Sequence, residues 1–505
     1  MKNPKTATVK TPMGQYKGLD LGGVHAFKGI RYAYPISKNQ RFAAPRVIEE
    51  SSKLINATRF SKVAPQPGIR IYKCGEDCLS LNIWKKANSK GSRPVFFFVH
   101  GGTYIRGSGS DALYDGRFLA ETYDIVVVTI NYRLGILGFL DFSSYDSHWV
   151  PNPGIHDIIA ALKWTYSNIA YFGGHANNIT IAGESAGGTL VSMLPVIEST
   201  HPYFSKLILF SGLPTSILSK TESQARTKSF LETLNLSAPD QISALSLKHL
   251  IASSSTFMKK SNLGSGSFQP SVDHVLISEP PISLLAKGHG KPIPMLIGST
   301  QDELSVIEHP LLKHHWDFSP ALQEGLSLEN EAFIRKIQSL YNDYYGAKLG
   351  RIQFFSDILF KSAGLFYGQA ASSKSPVWFY RLDYRPSRMD MTRLGAFHSS
   401  QLPLIFGNLK KGLGKAMFGL SRKLDEPKSI AGSMQEDIVR FMENGVLPWQ
   451  QATPSLQESK IYNDKIQYQP MIPNKLYALL KQTDYYKRTQ DHTYAEKRHQ
   501  LAKKK

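Results

Sequence analysis

The chain has 505 residues, of which 42% are hydrophobic, and 60 Lys and Arg against 40 Asp and Glu give it a formal net charge of +20 at pH 7. This composition excludes an intrinsically disordered protein and allows a large buried core. The first residues hold no apolar leader, and no run reaches the roughly 18 apolar residues of a membrane span. Taken as complete, the sequence predicts a cytoplasmic protein without a transmembrane segment.

The positive charge does not predict a dedicated nucleic-acid partner. Residues 487–505 hold seven Lys and Arg against two acidic residues, and the rest of the excess is spread along the chain without a basic motif interleaved with aromatic residues. We interpret the excess as charge that favours solubility plus a basic, flexible tail at 486–505, and expect no specific nucleic acid. Whether the tail serves a membrane, a nucleic acid or neither stays open.

Cys74 and Cys78 are the two cysteines of the sequence, with three residues between them and without a second Cys or His cluster nearby. This spacing does not predict a zinc site. We expect two thiols, with a short-loop disulfide as the alternative if the chain is exported. No metal and no cofactor are predicted.

The predicted elements between residues 93 and 212 alternate between strands and helices. Strands are predicted at 93–99, 124–130 and 207–210, and a helix at 155–166. This alternation favours an α/β fold, in which a mainly parallel sheet carries helices on both faces.

After Gly212 the pattern changes to Ser-, Thr- and Lys-rich segments, with a helix predicted at 222–234 and strands again at 294–298 and 377–382. We interpret these segments as insertions rather than as a second domain. The sequence therefore predicts one domain, residues 1–485, with lid-like insertions near 213–290 and 305–375.

The pentapeptide Gly183-Glu184-Ser185-Ala186-Gly187 is the most informative stretch of the chain. It follows an apolar, β-branched run and precedes small and apolar residues that suit a helix. A serine on such a sharp strand-to-helix turn is exposed to a base and to main-chain N–H groups, and the flanking glycines permit the turn. The pattern indicates a nucleophile elbow.

A second glycine loop, His100-Gly101-Gly102-Thr103-Tyr104, follows the first predicted strand. Glycines at this place let a loop direct main-chain N–H groups at a substrate oxygen. An ordinary turn after a strand is the alternative, and the combination with the elbow favours an oxyanion loop.

The sequence resembles the type-B carboxylesterases, the family that includes bacterial para-nitrobenzyl esterases, animal carboxylesterases and cholinesterases. The resemblance extends from about Val9 to Leu480 and implies an α/β-hydrolase fold. It rests on several segments in the expected order: 27–30, 41–42, 76–83, 100–103, 131–135, 183–187, 298–303 and His398.

The resemblance implies a catalytic triad in the chain order Ser, acid, His. Ser185 would be the nucleophile, Glu303 the acid and His398 the base, with Asp302 as the alternative acid. His398 would take the serine proton, and Glu303 would hold the imidazole in one tautomer and stabilise its charged form.

The resemblance also implies an oxyanion hole and supporting residues. The N–H groups of Gly102, Thr103 and Ala186 would bind the oxyanion. Glu184 and Ser211 would lie behind the triad without doing the chemistry.

Three residues depart from the family pattern. Thr103 stands where Gly or Ala is customary, and we expect its side chain to alter acyl preference. Leu304 replaces a glycine after the acid, where it either shifts the loop that carries Glu303 or lines the pocket. Gln401, a further supporting residue, stands where the family usually has Glu, and the lost charge should make His398 easier to deprotonate.

The sequence therefore predicts a serine hydrolase that cleaves small-molecule carboxylic esters through an acyl-enzyme. A catalytically silent binding or adhesion homologue is one alternative, and a hydrolase that prefers amides, carbamates or lactones is another. Acyl and alcohol specificity and oligomeric state are left open.

Overall fold

The structure is a computed structural model that describes residues 5–70, 73–234, 236, 239–261, 263–308, 331–418 and 424–490. Its strands are β1 (Thr6–Thr11), β2 (Gly14–Asp20), β3 (Val24–Arg31), β4 (Leu54–Asn56), β5 (Ser80–Lys86), β6 (Arg93–Val99), β7 (Val126–Ile130), β8 (Gly174–Glu184), β9 (Lys206–Phe210), β10 (Met295–Thr300), β11 (Val377–Leu382), β12 (Glu458–Tyr462) and β13 (Gln467–Pro470).

The α-helices of this part of the chain are α1 (Arg117–Tyr123), α2 (Ile136–Phe139), α3 (Pro153–Asn168), α4 (Ala186–Met193), α5 (Lys220–Leu234), α6 (Leu247–Lys260), α7 (Pro281–Ala286), α8 (Ser305–Glu308), α9 (Glu331–Tyr345), α10 (Ala347–Ser356), α11 (Ser362–Ala371), α12 (Ser387–Met391), α13 (Leu402–Ile405), α14 (Gly412–Phe418), α15 (Asp425–Asn444), α16 (Asn474–Leu480) and α17 (Asp484–Gln490). A π-helical turn, Asp357–Lys361, joins α10 to α11.

The strands form one sheet in the order β1-β2-β3-β5-β7-β6-β8-β9-β10-β11-β12-β13, with β4 beside β2. The central strands from β7 to β12 run parallel. The other strands of the main path, β1, β2, β3, β5 and β13, pair antiparallel. The expected mainly parallel sheet is confirmed.

The side chains of strand β6 pack against helices on both faces of the sheet. Its side chains alternate, so Phe97 and Val99 join one buried cluster with α3 and α4, whereas Phe96 and Phe98 join another with α1 and α15. All four are fully buried. A parallel strand buried on both faces reads as a continuous apolar run, which made this strand predictable.

The predicted strands and helices are confirmed with small shifts at their ends. The strand predicted at 124–130 begins at Val126, because Asp124 adopts a left-handed conformation (φ 53°) that ends α1. In the insertions, residues 222–234 lie in α5 as predicted, and the second insertion holds α9 to α11, while 309–330 lie outside the described residues.

The predicted tail begins inside a helix. Residues 486–490 belong to α17, and the Tyr486 ring lies 4.2 Å from that of Phe366 between centroids. Residues 491–505 lie outside the described part, where the predicted flexibility stays a prediction.

The carboxyl ends of neighbouring parallel strands define one edge of the sheet. Strand β6 leads into the glycine loop at His100, β8 into Ser185, β9 into Ser211, and β10 into the acid segment with Glu303. Because these four strands are adjacent in the order β6-β8-β9-β10, their loops meet at this edge, which is where α/β sheets hold ligands.

Candidate active site

Ser185 occupies the sharp turn between β8 and α4. Its φ is 55° and its ψ is −124°, a conformation that side-chain-bearing residues rarely adopt. Its N–H donates to the Phe210 carbonyl at 3.0 Å, and its carbonyl accepts the Thr189 N–H at 2.9 Å. These bonds hold the strained turn, which is typical of functional sites.

The glycines around Ser185 are required by close approach of the main chain. A Cβ added at Gly187 would lie 2.2 Å from the carbonyl oxygen of Val99, and one at Gly183 would lie 2.4 Å from that of Gly187. Side chains in real structures do not approach the main chain so closely. Glycine is therefore required on both sides of Ser185 for this turn to form.

The Glu303 carboxylate is fully buried beyond the end of β10. One oxygen, Oε1, accepts the Thr300 N–H at 2.7 Å and the Ser211 hydroxyl at 2.5 Å. The other, Oε2, lies 2.6 Å from Nδ1 of His398. The structure thus brings Glu303, Ser211 and His398 together.

His398 is held by its main chain as well as its ring. Its N–H donates to the Glu303 carbonyl at 3.2 Å, and the Phe360 ring packs 4.7 Å from the imidazole between centroids. Burial lowers the pKa of His398, but the hydrogen bond and charge of Glu303, together with the charge of Glu184, outweigh burial and raise this pKa overall. The charged imidazole is therefore stabilised.

Asp302, the alternative acid, has other partners. Its carboxylate accepts the Gln353 side-chain amide at 2.6 Å and the Ala396 N–H at 3.0 Å, and pairs with Arg385 at 3.0 Å. Through these contacts Asp302 stabilises the loop that precedes His398. The geometry favours Glu303 as the partner of the imidazole.

The glycine loop after β6 has an unusual main chain. Gly102, Thr103 and Tyr104 all have positive φ, at 114°, 55° and 62°. A Cβ at Gly102 would lie 2.1 Å from the Arg106 carbonyl oxygen. The Thr103 hydroxyl donates to the Gly102 carbonyl at 2.8 Å, so it is engaged by the loop itself.

The His100 imidazole is neutral and contacts the main chain of this loop. Burial lowers the pKa of His100 to about 4. Its neutral ring lies with Nδ1 2.8 Å from the Gly101 carbonyl and stacks on Tyr132, whose hydroxyl donates to the His100 carbonyl at 2.8 Å. Ala186 is the first residue of α4, which follows β8, the strand beside β6. The N–H groups at the start of a helix have no acceptor within the helix.

Glu184 lies beside the histidine. Its Oε1 accepts the Ser399 hydroxyl at 2.5 Å and is 3.4 Å from Nε2 of His398. Burial raises the pKa of Glu184, and the nearby His398 and the Ser399 hydroxyl oppose that rise. A Cβ at Gly101 would meet this carboxylate at 2.4 Å, which explains why the loop has glycine there.

Leu304 and Gln401, the two remaining departures from the family pattern, are both buried. Leu304 is fully buried in the apolar core, and its N–H donates to the Ser356 hydroxyl at 3.1 Å, while the preceding Glu303 still reaches the histidine. The Gln401 side chain donates to the Ser211 hydroxyl at 2.7 Å. Its predicted effect on the pKa of His398 stays a prediction.

The family model described as the carboxylesterase family matches residues 5–499. The chain belongs to the carboxylesterase family. It is similar to the para-nitrobenzyl esterase of Bacillus subtilis, with 33% identity over 450 residues that cover 86% of this chain and 90% of the relative. It is also similar to the cocaine esterase of Homo sapiens, with 30% identity over 488 residues that cover 88% of this chain and 83% of that protein.

Two solved structures support the same classification. A thermophilic PNB esterase matches with a TM-score of 0.82 and 29% identity, covering 94% of this chain and 99% of its own. A carboxylesterase of Geobacillus stearothermophilus matches with a TM-score of 0.81 at the same identity and coverage. The α/β-hydrolase fold and carboxylesterase activity expected from the sequence are confirmed.

A small apolar pocket lies beside the glycine loop of this carboxylesterase. It lies between the loop, the segment after Arg133, and α6, and Ser185 is not among its lining residues. The lining residues are Pro65, Gln66, Pro67, Ile105, Leu134, Gly135, Ile136, Leu137, Leu247, Leu250, Ile251 and Ser254.

Sequence reasoning missed three residues of this site. Phe360 packs on the imidazole, Ser399 binds Glu184, and Tyr380 donates to Gln401 at 2.5 Å. Ser399 could have been found from its place beside the histidine. Phe360 and Tyr380 lie in other elements, and no local pattern marks them.

Cys74 and Cys78 are buried and are not joined to each other. Burial raises the pKa of the Cys78 thiol, so this group stays protonated. Within the described ranges, no group of three or more His, Cys, Asp or Glu side chains could hold a metal ion. In the same part of the chain, no helix has the length and apolar character to cross a membrane.

Proposed function

We propose that this carboxylesterase hydrolyses its substrates through a Ser185 acyl-enzyme, with His398 as general base and Glu303 as the acid of the triad. The observation that carries this proposal is the 2.6 Å contact between Glu303 Oε2 and His398 Nδ1, made at the sheet edge where the strained Ser185 turn lies. Such a contact fixes a proton on Nδ1 and leaves Nε2 as the basic atom.

In the first half-reaction, Ser185 Oγ attacks the ester carbonyl carbon while its proton passes to His398 Nε2. The C–O bond to the alcohol then breaks, and the imidazolium returns the proton to the leaving alkoxide. The charge of Glu303 stabilises the imidazolium between these two transfers, which agrees with the direction of the His398 pKa shift.

We assign the oxyanion to the N–H groups of Gly102, Thr103 and Ala186. The positive φ values of Gly102 and Thr103 support this assignment, because they turn successive main-chain N–H groups out of ordinary strand geometry. Loss of one such donor lowers turnover by about a hundredfold to a thousandfold in other hydrolases.

In the second half-reaction, water takes the place of the alcohol. His398 accepts a proton from the water as its oxygen attacks the acyl carbon, and the same proton returns to Ser185 Oγ as the acid leaves.

The substrates that we propose are small carboxylic esters. The para-nitrobenzyl esterase name of one relative supports an ester with an aromatic alcohol.

The test follows p-nitrophenol release from short-chain p-nitrophenyl esters by the wild type and by Ser185→Ala. We expect the variant to lose nearly all activity while keeping its melting temperature. Equal rates would overturn the proposal. Parallel assays with amides, carbamates and lactones of matched acyl groups would show whether esters are preferred, and uniform inactivity of the wild type would favour a silent homologue.

A further inference from the structure

A row of buried polar groups extends from the triad into the sheet. Tyr380 Oη lies 2.5 Å from Gln401 Oε1, Gln401 Nε2 lies 2.7 Å from Ser211 Oγ, and Ser211 Oγ lies 2.5 Å from Glu303 Oε1. Each of the four side chains is at most 2% exposed. Water therefore cannot replace any of these bonds without a rearrangement of the core.

The protons in this row can point in one consistent direction. A phenol hydroxyl donates to the amide oxygen, the amide NH₂ donates to Ser211, and Ser211 then has its single proton left for Glu303. If the Gln401 amide were reversed, its oxygen and Glu303 would both face the one Ser211 proton, and one acceptor would stay unsatisfied. Such an unsatisfied buried acceptor is costly.

The main chain supports this arrangement at both ends. Tyr380 pairs with Gly298 across β10 and β11, and a Cβ added at Gly298 would lie 2.0 Å from the Tyr380 ring. Glycine there gives the ring room to cross β10 toward Gln401. At the other end, Ser211 has a φ of 49°, and its N–H donates to the Gly298 carbonyl at 2.7 Å.

We propose that Tyr380 and Gln401 are positioning residues, which orient the Ser211 hydroxyl so that its proton is held on Glu303 while Glu303 binds His398. This inference rests on the proposed function of Glu303 and His398. The amide of Gln401 cannot ionise, so it keeps the Ser211 proton directed at Glu303 throughout the pH range. A glutamate at the same place would compete for that proton whenever it is charged.

The proposal predicts a change in the pH profile as well as in rate. In Tyr380→Phe, Gln401 loses its donor and Ser211 loses its fixed orientation. Glu303 then keeps more negative charge, which raises the pKa of His398, but it is held less firmly against the imidazole, which slows turnover. The acid limb of kcat/KM should move to higher pH, and kcat should fall about tenfold with KM unchanged.

Tyr462→Phe is the matched control. Tyr462 is a buried tyrosine on the adjacent strand β12, 5.8 Å from the Tyr380 ring between centroids, and its hydroxyl donates to Asp437 at 2.6 Å. It therefore loses a similar buried hydrogen bond away from the triad. We expect lower stability without a shift of the acid limb, and equal behaviour of the two variants would overturn the inference.

A double-mutant cycle tests the path through Ser211. If Tyr380 acts through Ser211, Tyr380→Phe should change kcat and the acid limb in the wild type but have no further effect in Ser211→Ala. Independent, additive effects would contradict the proposal.

Gln401→Glu gives a second route should Tyr380→Phe fail to fold. Its added charge should move the acid limb to higher pH and introduce a second ionisation, and a profile that superimposes on the wild type would contradict the proposal. Activity retained in Ser185→Ala would instead show that the proposed function itself has failed.

Discussion

Glu303 holds His398 at two points, through a 2.6 Å contact between its Oε2 and Nδ1 and through a 3.2 Å hydrogen bond from the His398 N–H to its carbonyl. The side chain fixes the tautomer of the ring, and the main chain fixes the position of the residue. Because the two segments are bonded in this way, a change of side chain at 303 can alter charge without moving the histidine.

Glu303→Gln should lower kcat by up to about 10⁴-fold. The neutral amide would favour the wrong tautomer of His398 and would not stabilise the charged imidazolium. The control is Asp302→Asn, which removes the neighbouring carboxylate charge but leaves the His398 contact. It should lower kcat by less than about tenfold. Steady-state kinetics on one p-nitrophenyl ester would check both, and a larger loss in Asp302→Asn would identify Asp302 as the acid.

The acid limb of activity should lie at a higher pH than for an ordinary histidine. His398 must be neutral to accept the serine proton, and its pKa is raised above the usual 6.5, so kcat/KM should rise with pH through a pKa above that value. A limb below 6.5 would contradict the site electrostatics.

Glu184→Gln should move this acid limb to lower pH. The change removes one of the negative charges that raise the pKa of His398, and it keeps an acceptor for the Ser399 hydroxyl. The exposed Glu198→Gln is the control for a simple change of net charge. A shift of the same size in both variants would mean that Glu184 has no specific effect.

Gly187→Ala should lower the melting temperature and the stability by about 1–3 kcal/mol, because the added Cβ would collide with the Val99 carbonyl. Gly432→Ala in α15 is the control, since a Cβ there meets nothing within 4 Å. It should be neutral or stabilise by about 0.5–1 kcal/mol. Thermal unfolding of both would test this, and the reverse order would refute the steric account of the elbow.

Thr103→Gly should widen the range of acyl groups accepted. The change relieves a side chain at positive φ and removes its bulk beside the proposed oxyanion donors. We expect the kcat/KM ratio of a branched-chain to an acetyl ester to rise, with Thr103→Ser between the two. An unchanged ratio would show that this side chain does not border the acyl group.

The parts of the site that the sequence predicted are those with a local cause. The Gly-x-Ser-x-Gly spacing is a local pattern, and at Gly183 its steric cause is local too, because an added Cβ would meet the Gly187 carbonyl. Strand β6 is a continuous apolar run because both its faces are buried. The placement of Glu303 beside His398 came from the family resemblance, since the two residues are 95 positions apart in the chain.

The missed residues depend on tertiary packing. Tyr380 reaches Gln401 only because β11 lies beside β10 and Gly298 leaves room for the ring, and Phe360 comes from a π-helical turn inside an insertion. Strand order and the packing of inserted helices are set by the whole chain, so no local pattern predicts these contacts.

The central claim is that Ser185 is the nucleophile activated by His398, and covalent labelling tests it most directly. The enzyme would be treated with a fluorophosphonate, and the adduct would be counted by intact-protein mass and located by peptide mapping. The account predicts one adduct per chain, on Ser185, that is absent in Ser185→Ala and formed much more slowly in His398→Ala. An adduct on another residue, or labelling of Ser185→Ala at the wild-type rate, would contradict it.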